Sequence, residues 1–268
     1  MPIEQILDQS LALRGLIGAL AGLVAGSFLA TALIRWPIGE AVARGRSRCD
    51  SCRTTLTARD LVPLVSHAAA RGRCRHCGAR IDPRHLAVEL AAATIGLVAL
   101  AAHPLPLGIV TALLGWWLLL TAMLDLERQW LPDRLTLPLI PLGLAAAWAG
   151  FGPPLAERAA AAAIGWAALA AIAFAYRRLR SREGMGGGDP KLMAALGAWV
   201  GAWPLPAILL GAGLLGLAAA AAMRLRGEAV TAASRLPLGT LLILAAWPVW
   251  LILAAPPSIQ ALSRFALL

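Results

Sequence analysis

Four acidic residues in two short loops lie close to apolar runs: Asp125, Glu127 and Asp133 in "LDLERQWLPDRLTLP", and Asp189 behind three glycines in "REGMGGGDPKLMAALG". Ionisable groups at membrane depth are costly to keep and are functional candidates for that reason. Local roles account for some of them. Asp133 follows Pro132 and opens an apolar run, as a helix N-cap or first-turn acid would. Asp189 precedes Pro190, the favoured first helical residue, and also fits a cap. Glu127 stands beside Arg128 and reads as a solvated interfacial charge. Asp125 has no such role, because it closes an apolar run where the helix dipole opposes an anion. A helix start supports an anion at Asp189 instead. Two carboxylates in such contrasting surroundings can share one proton, held mainly on Asp125, with Asp189 as the base. That is general acid–base chemistry suited to peptide hydrolysis. Gly186, Gly187 and Gly188 would let an extended peptide pass close to Asp189, with a plain flexible hinge as the competing use.

A second constellation lies upstream. "CDSC" places Cys49 and Cys52, and "CRHC" places Cys74 and Cys77, with 21 residues between the pairs. Two CxxC turns at this separation are the ligand pattern of a tetrahedral four-thiolate zinc site. Four thiolates leave no open coordination position, so the expected zinc is structural. His76 inside the second turn is a bystander on this count. Two disulfides are the alternative, but they require an oxidising compartment. The segment is too small and polar for a large core, so the metal should supply much of its folding free energy. Its arginines, including Arg71, Arg73, Arg75, Arg80 and Arg84, read as a solvated, lipid-facing surface.

The elements that carry these residues are membrane helices. Of 268 residues, 59% are hydrophobic, above the share of an ordinary soluble domain. Runs such as "LALRGLIGALAGLVAGSFLATALI" are too long and uncharged for soluble core helices. The first run is read as a retained span and not a signal peptide. Eight spans are expected, near 11–34, 86–102, 107–124, 134–151, 158–176, 190–202, 205–223 and 236–254, the sixth being short. The net charge of +10 could indicate nucleic acid, but its distribution argues for topology. Alternate connections hold 21 of the 24 Lys and Arg residues, and the other side keeps only Arg14, Arg158 and Arg264. By the positive-inside rule the basic side is cytoplasmic, with lipid headgroups as partners and no nucleic acid. The expected fold is an all-α polytopic membrane protein with a small cytoplasmic zinc module. Its divisions are a first helix at 1–34, the four-cysteine module at 35–85 and a multi-helix core at 86–268.

Together these motifs resemble the type IV prepilin peptidase family, membrane aspartic proteases of the GxGD type. "GLVAGSFLATALIRWP", ending in Arg35 and Pro37, looks like the family's first-span signature, and the cysteine loop resembles its zinc-binding domain. "RHLAVEL" matches the stretch entering span 2 and aligns Glu89. "DLERQWLPDRLTLPL" and "GMGGGDPKLMAALGAWVG" resemble the two catalytic motifs and place Asp125 and Asp189 at the catalytic aspartates. The likeness covers almost the whole chain.

The resemblance implies an inner-membrane endopeptidase that removes the basic leader of prepilins or pseudopilins at the cytoplasmic face. It also implies N-methylation of the new N-terminus from S-adenosylmethionine, with Glu89 as a candidate for the methyl-donor site. No GxGxxG follows a strand, so no Rossmann-type donor site is readable. The chain departs from the family at Asp50, where a proline follows the first cysteine, at Ala30 and Thr31 in place of an asparagine, and at His67 in place of an aromatic. These departures leave both aspartates untouched and bear on the methyl-transfer module, so a peptidase without methylation is one alternative. A proton-coupled transporter and a non-enzymatic assembly scaffold are the others.

Overall fold

A computed structural model describes residues 10–42, 46–181, 183–229 and 236–254. Arg44, Arg182, Arg235 and Arg264, which enter the charge count above, lie outside the described residues. The chain folds as two compact units, Met1–Leu120 and Thr121–Leu268.

In the first unit, α1 (Leu11–Arg35) leads to the cysteine module, which contains a 3₁₀ turn at Ala58–Leu61 and one short α-helical turn, α2 (Val65–Ala69), among the described residues. Two further helices follow, α3 (Pro83–Ala102) and the start of α4 (Leu107–Arg128). Ser10 caps α1 by accepting the Leu13 N–H, and Asp82 followed by Pro83 opens α3. The face of α1 toward α3 carries Gly15, Gly18, Gly22 and Gly26, a small residue at every turn. A Cβ on Gly26 would fall 2.6 Å from Glu89 Cα, and one on Gly22 would strike the Ala92 carbonyl. The backbones therefore meet directly, the way membrane helices associate without a hydrophobic drive. Gly22→Leu is expected to separate α1 from α3 at a cost of about 1–3 kcal/mol or more. Cysteine cross-linking between the two helices in membranes would show the loss.

The second unit takes the end of α4 and adds α5 (Asp133–Trp148), α6 (Leu155–Arg180), α7 (Gly188–Val200), α8 (Leu205–Leu225) and α9 (Leu238–Leu253). Helix α7 is the centre of this unit, packed against α5, α6 and α9. Every residue from Asp189 to Val200 except Lys191 is buried. Gly143 of α5 and Gly165 of α6 allow its backbone to come close, at Ala198 and Met193 respectively. Trp199 of α7 donates its indole N–H to the Leu139 carbonyl at 2.9 Å. The outer helices α6 and α8 show large apolar residues such as Ile164, Trp166, Leu210 and Leu217, as a lipid-facing surface requires.

At the far end of this unit Arg158 is fully buried, donating to the Gly143 carbonyl at 2.9 Å and to that of Phe151. Its guanidinium lies 5.3 Å from the Trp250 ring centroid, joining the ends of α5, α6 and α9. Arg158→Ala removes a buried donor from the Gly143 and Phe151 carbonyls together with the contact on Trp250, and should cost about 2–5 kcal/mol. A thermal melt in detergent would read that loss.

Eight helices of 13 residues or more are present among the described residues, matching the expected spans to within a few residues. Five are long and apolar enough to cross a membrane: α1, α3, α4, α6 and α8. The others are shorter than the roughly 20 residues a lone span needs, and packing inside the protein makes up the difference. The protein is an all-helical, integral membrane protein.

Candidate active site and metal centre

Asp125 sits in the last turn of α4, which runs on to Arg128, and Gln129 ends the helix in a left-handed conformation with φ of 50°. Its side chain is buried, at 5% exposure. Oδ2 accepts the Thr240 backbone N–H at 2.7 Å and lies 3.1 Å from the Thr240 hydroxyl. That hydroxyl also donates to the Ala122 carbonyl at 2.8 Å, one turn back along α4. The start of α9 thus holds the carboxylate in place.

Asp189 is similarly buried, at 7% exposure, but it is not the cap that its Asp-Pro pairing predicted. The N-cap is Gly187, and Asp189 lies in the first turn. Its Oδ2 reaches back to accept the Gly186 N–H at 3.1 Å, folding the glycine loop over the carboxylate. Local backbone donors therefore act at both carboxyls, overlaying the dipole contrast that the sequence alone predicted.

Leu131 packs on glycines that adjoin both acids. A Cβ on Gly188 would fall 2.6 Å from Leu131 Cβ, and one on Gly239 would fall 2.9 Å from Leu131 Cδ1 and 3.0 Å from Asp125 Oδ2. Asp189 is within Coulombic reach of Asp125. Both carboxyls are buried, and exposed Gly186 and Gly187 stand beside Asp189. Only Gly188 is required by packing. Gly187 has open space where a Cβ would stand, and Gly186 faces nothing nearer than the Asp189 carboxylate itself.

The other two acids stand apart from this arrangement. Asp133 is the first residue of α5 and makes no cap hydrogen bond; instead its two oxygens take Lys191 Nζ at 2.7 and 2.8 Å. This exposed pair ties the start of α5 to the start of α7. Glu127 is exposed.

In the first unit Cys49, Cys52, Cys74 and Cys77 bring their Sγ atoms within 4.8 Å of one another, and none is in a disulfide. Thiolates about 2.3 Å from a tetrahedral zinc lie about 3.8 Å apart. Cys49 and Cys77 are already 4.0 Å apart, so the cluster fits such an ion. Each knuckle closes on its own backbone, with the Cys49 N–H donating to Thr54 and the Cys74 N–H to Ala79. Arg53 and Gly78 take the left-handed position after the second cysteine of each, with φ of 59° and 72°. Hydrogen bonding with the Thr54 side chain and then its backbone holds the Cys52 thiol down at about 6. The Cys77 and His76 backbone N–H groups lower Cys74 as well. Both thiols are poised as ligands.

Glu89 is buried on α3, and its Oε2 accepts the Leu64 N–H at 3.0 Å. It lines a cavity of about 390 Å³ whose walls include Thr31, Arg35, Asp60, His67 and His85. Asp50, which replaces the family's proline, pairs with Arg35 at 3.2 Å, so this departure links the first knuckle to the end of α1.

Gly239, Thr240 and Leu131 escaped the sequence reading. A helix start in "LPLGTLL" at a basic connection was the available signal.

Comparison with known proteins converges on one family. Residues 112–221 match the type IV leader peptidase family, and residues 20–103 match the bacterial peptidase A24 N-terminal domain. A prepilin leader peptidase/N-methyltransferase of Dichelobacter nodosus is 38% identical over 202 residues, 75% of this chain and 69% of that protein. A type 4 prepilin-like proteins leader peptide-processing enzyme of Escherichia coli strain H10407 is 34% identical over 232 residues, 79% of this chain and 86% of its own. A prepilin leader peptidase/N-methyltransferase of Klebsiella pneumoniae is 38% identical over 201 residues, covering 71% and 87%. No solved structure matches the chain significantly. With its relatives covered over most of their length and both parts of the chain matched in order, this protein belongs to the type IV leader peptidase family and is a membrane peptidase.

Proposed function

We propose that the protein removes the basic leader of a prepilin or pseudopilin at the cytoplasmic face of the inner membrane, with Asp125 and Asp189 as its catalytic pair. The observation that carries this reading is the burial of two carboxylates, each held by a backbone N–H, whose adjoining glycines Gly188 and Gly239 both pack on Leu131. One aspartate, as carboxylate, takes a proton from a water as its oxygen attacks the scissile carbonyl carbon. The other, protonated, gives its proton to the carbonyl oxygen, forming a tetrahedral diol. Collapse of the diol breaks the C–N bond, and a carboxyl proton passes to the leaving amine. The cut needs no metal. Exposed Gly186 and Gly187 leave room for the substrate backbone, while the substrate's apolar helix stays in the bilayer. Basic connections at the same face meet the lipid headgroups.

The cysteine cluster holds one structural zinc ion in this reading. Methylation of the new N-terminus belongs to the first unit, where the Glu89 cavity combines a buried acid with basic and apolar walls. That mixture suits S-adenosylmethionine, whose sulfonium, amino-acid and adenosine parts need each of them. Bound there, the donor supplies the methyl group; Glu89 and its neighbours bind and orient it.

Co-expression with a prepilin, followed by mass spectrometry of the product, tests both steps. Wild type should yield a product without its leader and one methyl group heavier at the new N-terminus. Glu89→Gln should yield the cleaved product with methylation reduced by about 10-fold or more. A wild type that leaves the prepilin intact would sink the proposal. A cleaved but unmethylated wild-type product would reduce it to peptidase alone.

A further inference from the structure

The carboxylate of Asp125 must serve in two protonation states if it works in an acid–base cycle, and the side chain against it is equipped for both. Thr240 is 7% exposed, in the first turn of α9. Its hydroxyl oxygen stands 2.8 Å from the Ala122 carbonyl and 3.1 Å from Asp125 Oδ2. A hydroxyl has one proton and two lone pairs, so it cannot donate to both at once.

We infer that Thr240 is a positioning residue whose hydroxyl turns with the charge of Asp125. When Asp125 is a carboxylate, the hydroxyl proton points to Oδ2 beside the fixed Thr240 N–H. When Asp125 carries a proton, the hydroxyl turns its own proton to the Ala122 carbonyl. A lone pair then accepts the O–H of Asp125. No heavy atom need move, and neither state leaves a buried polar group unpartnered, which would be costly at this depth. The Thr240 N–H, at 2.7 Å, keeps Oδ2 in place throughout. Gly239 makes the approach possible, because a Cβ there would stand 3.0 Å from Oδ2. Carbonyl and carboxyl lie on α4 and the hydroxyl on α9, so the rotor is part of how α9 joins α4.

The inference rests on the catalytic reading of Asp125, and the test separates the two. Purified full-length protein in liposomes is assayed for cleavage of a leader-bearing substrate across the pH range. Thr240→Val keeps shape and backbone N–H but removes the rotor, and is expected to lower kcat about 10- to 100-fold with KM within about twofold. At least one limb of its pH–rate profile should move by about half a unit or more. Thr240→Ser keeps the rotor and should stay within about threefold of wild type with an unmoved profile. Thr240→Ala gives the same comparison should the valine variant fail to fold. A valine or alanine variant with wild-type kcat and profile overturns the inference, as does a serine variant as impaired as valine. Normal cleavage by Asp125→Asn, run alongside, overturns the catalytic reading and the rotor with it.

Discussion

Asparagine at either Asp125 or Asp189 should abolish leader cleavage, with an expected fall of at least about 10²–10⁴-fold at matched protein levels in the membrane. The substitution keeps size and one acceptor oxygen, so the Thr240 and Gly186 N–H groups retain their partner and the helices retain their packing. What disappears is the capacity to take up or release a proton. Because both steps of the proposed reaction use both carboxyls, the two single variants should be about equally inactive and the double variant little worse. Methylation should vanish with cleavage, since no new amine forms. Asp133→Asn supplies the contrast: its exposed pair with Lys191 is worth about 0–1 kcal/mol, so cleavage should stay within about tenfold of wild type. If Asp125→Asn or Asp189→Asn cut normally, the pair would not be the catalytic one. Glu127 would then be the next acid to test.

Removal of the proposed zinc ion is the second large expected effect. A structural zinc supplies about 10–16 kcal/mol in small metal-dependent folds, more than the module's short, exposed chain can replace. Protein stripped with a chelator, or carrying Cys49→Ser or Cys74→Ser, should lose its zinc and become sensitive to limited proteolysis between α1 and α3. Elemental analysis should find one zinc in the wild type. Hydrogen bonds hold the Cys52 thiol down at about 6 and lower Cys74, while Cys77 is pushed up to about 11; Cys77 is fully protonated at pH 7 in either case, so zinc uptake there should release fewer protons than four ordinary thiols would. A module equally protease-resistant with and without zinc would refute the structural role.

The amino-acid sequence states some of this architecture directly. Apolar runs mark the helices because lipid demands continuous hydrophobic length, and the CxxC pairs mark their knuckles because ligand geometry demands fixed local spacing. Asp125 and Asp189 can be singled out because acids at apolar ends are expensive. Partnerships across long separations are another matter. Lys191 meets Asp133 across 58 residues, and residue type alone gives either charge many possible partners. The N–H of Thr240 carries no residue-type signal, since every residue but proline has one. Leu131 reads as an ordinary apolar residue of a loop, and only the structure shows that glycines from two helix starts pack on it. The cap that Asp-Pro also allows at Asp189 is not formed, because the glycine before it is small enough to start the helix against Leu131.

The short, enclosed α7 has a consequence for biogenesis. At 13 residues it is about 20 Å long, against about 30 Å of hydrocarbon, and it opens with Gly-Asp-Pro-Lys. Such a segment is a poor substrate for insertion by itself and settles only when its neighbours are already in the bilayer. The last of these, α9, begins at Leu238, and the donor to Asp125 comes from its first turn. Ribosomes would have to deliver residues 238–253 before the carboxylate site could close. Nascent protein is thus held inert during translocation, and a truncation before Leu238 should yield an inserted but unfinished bundle.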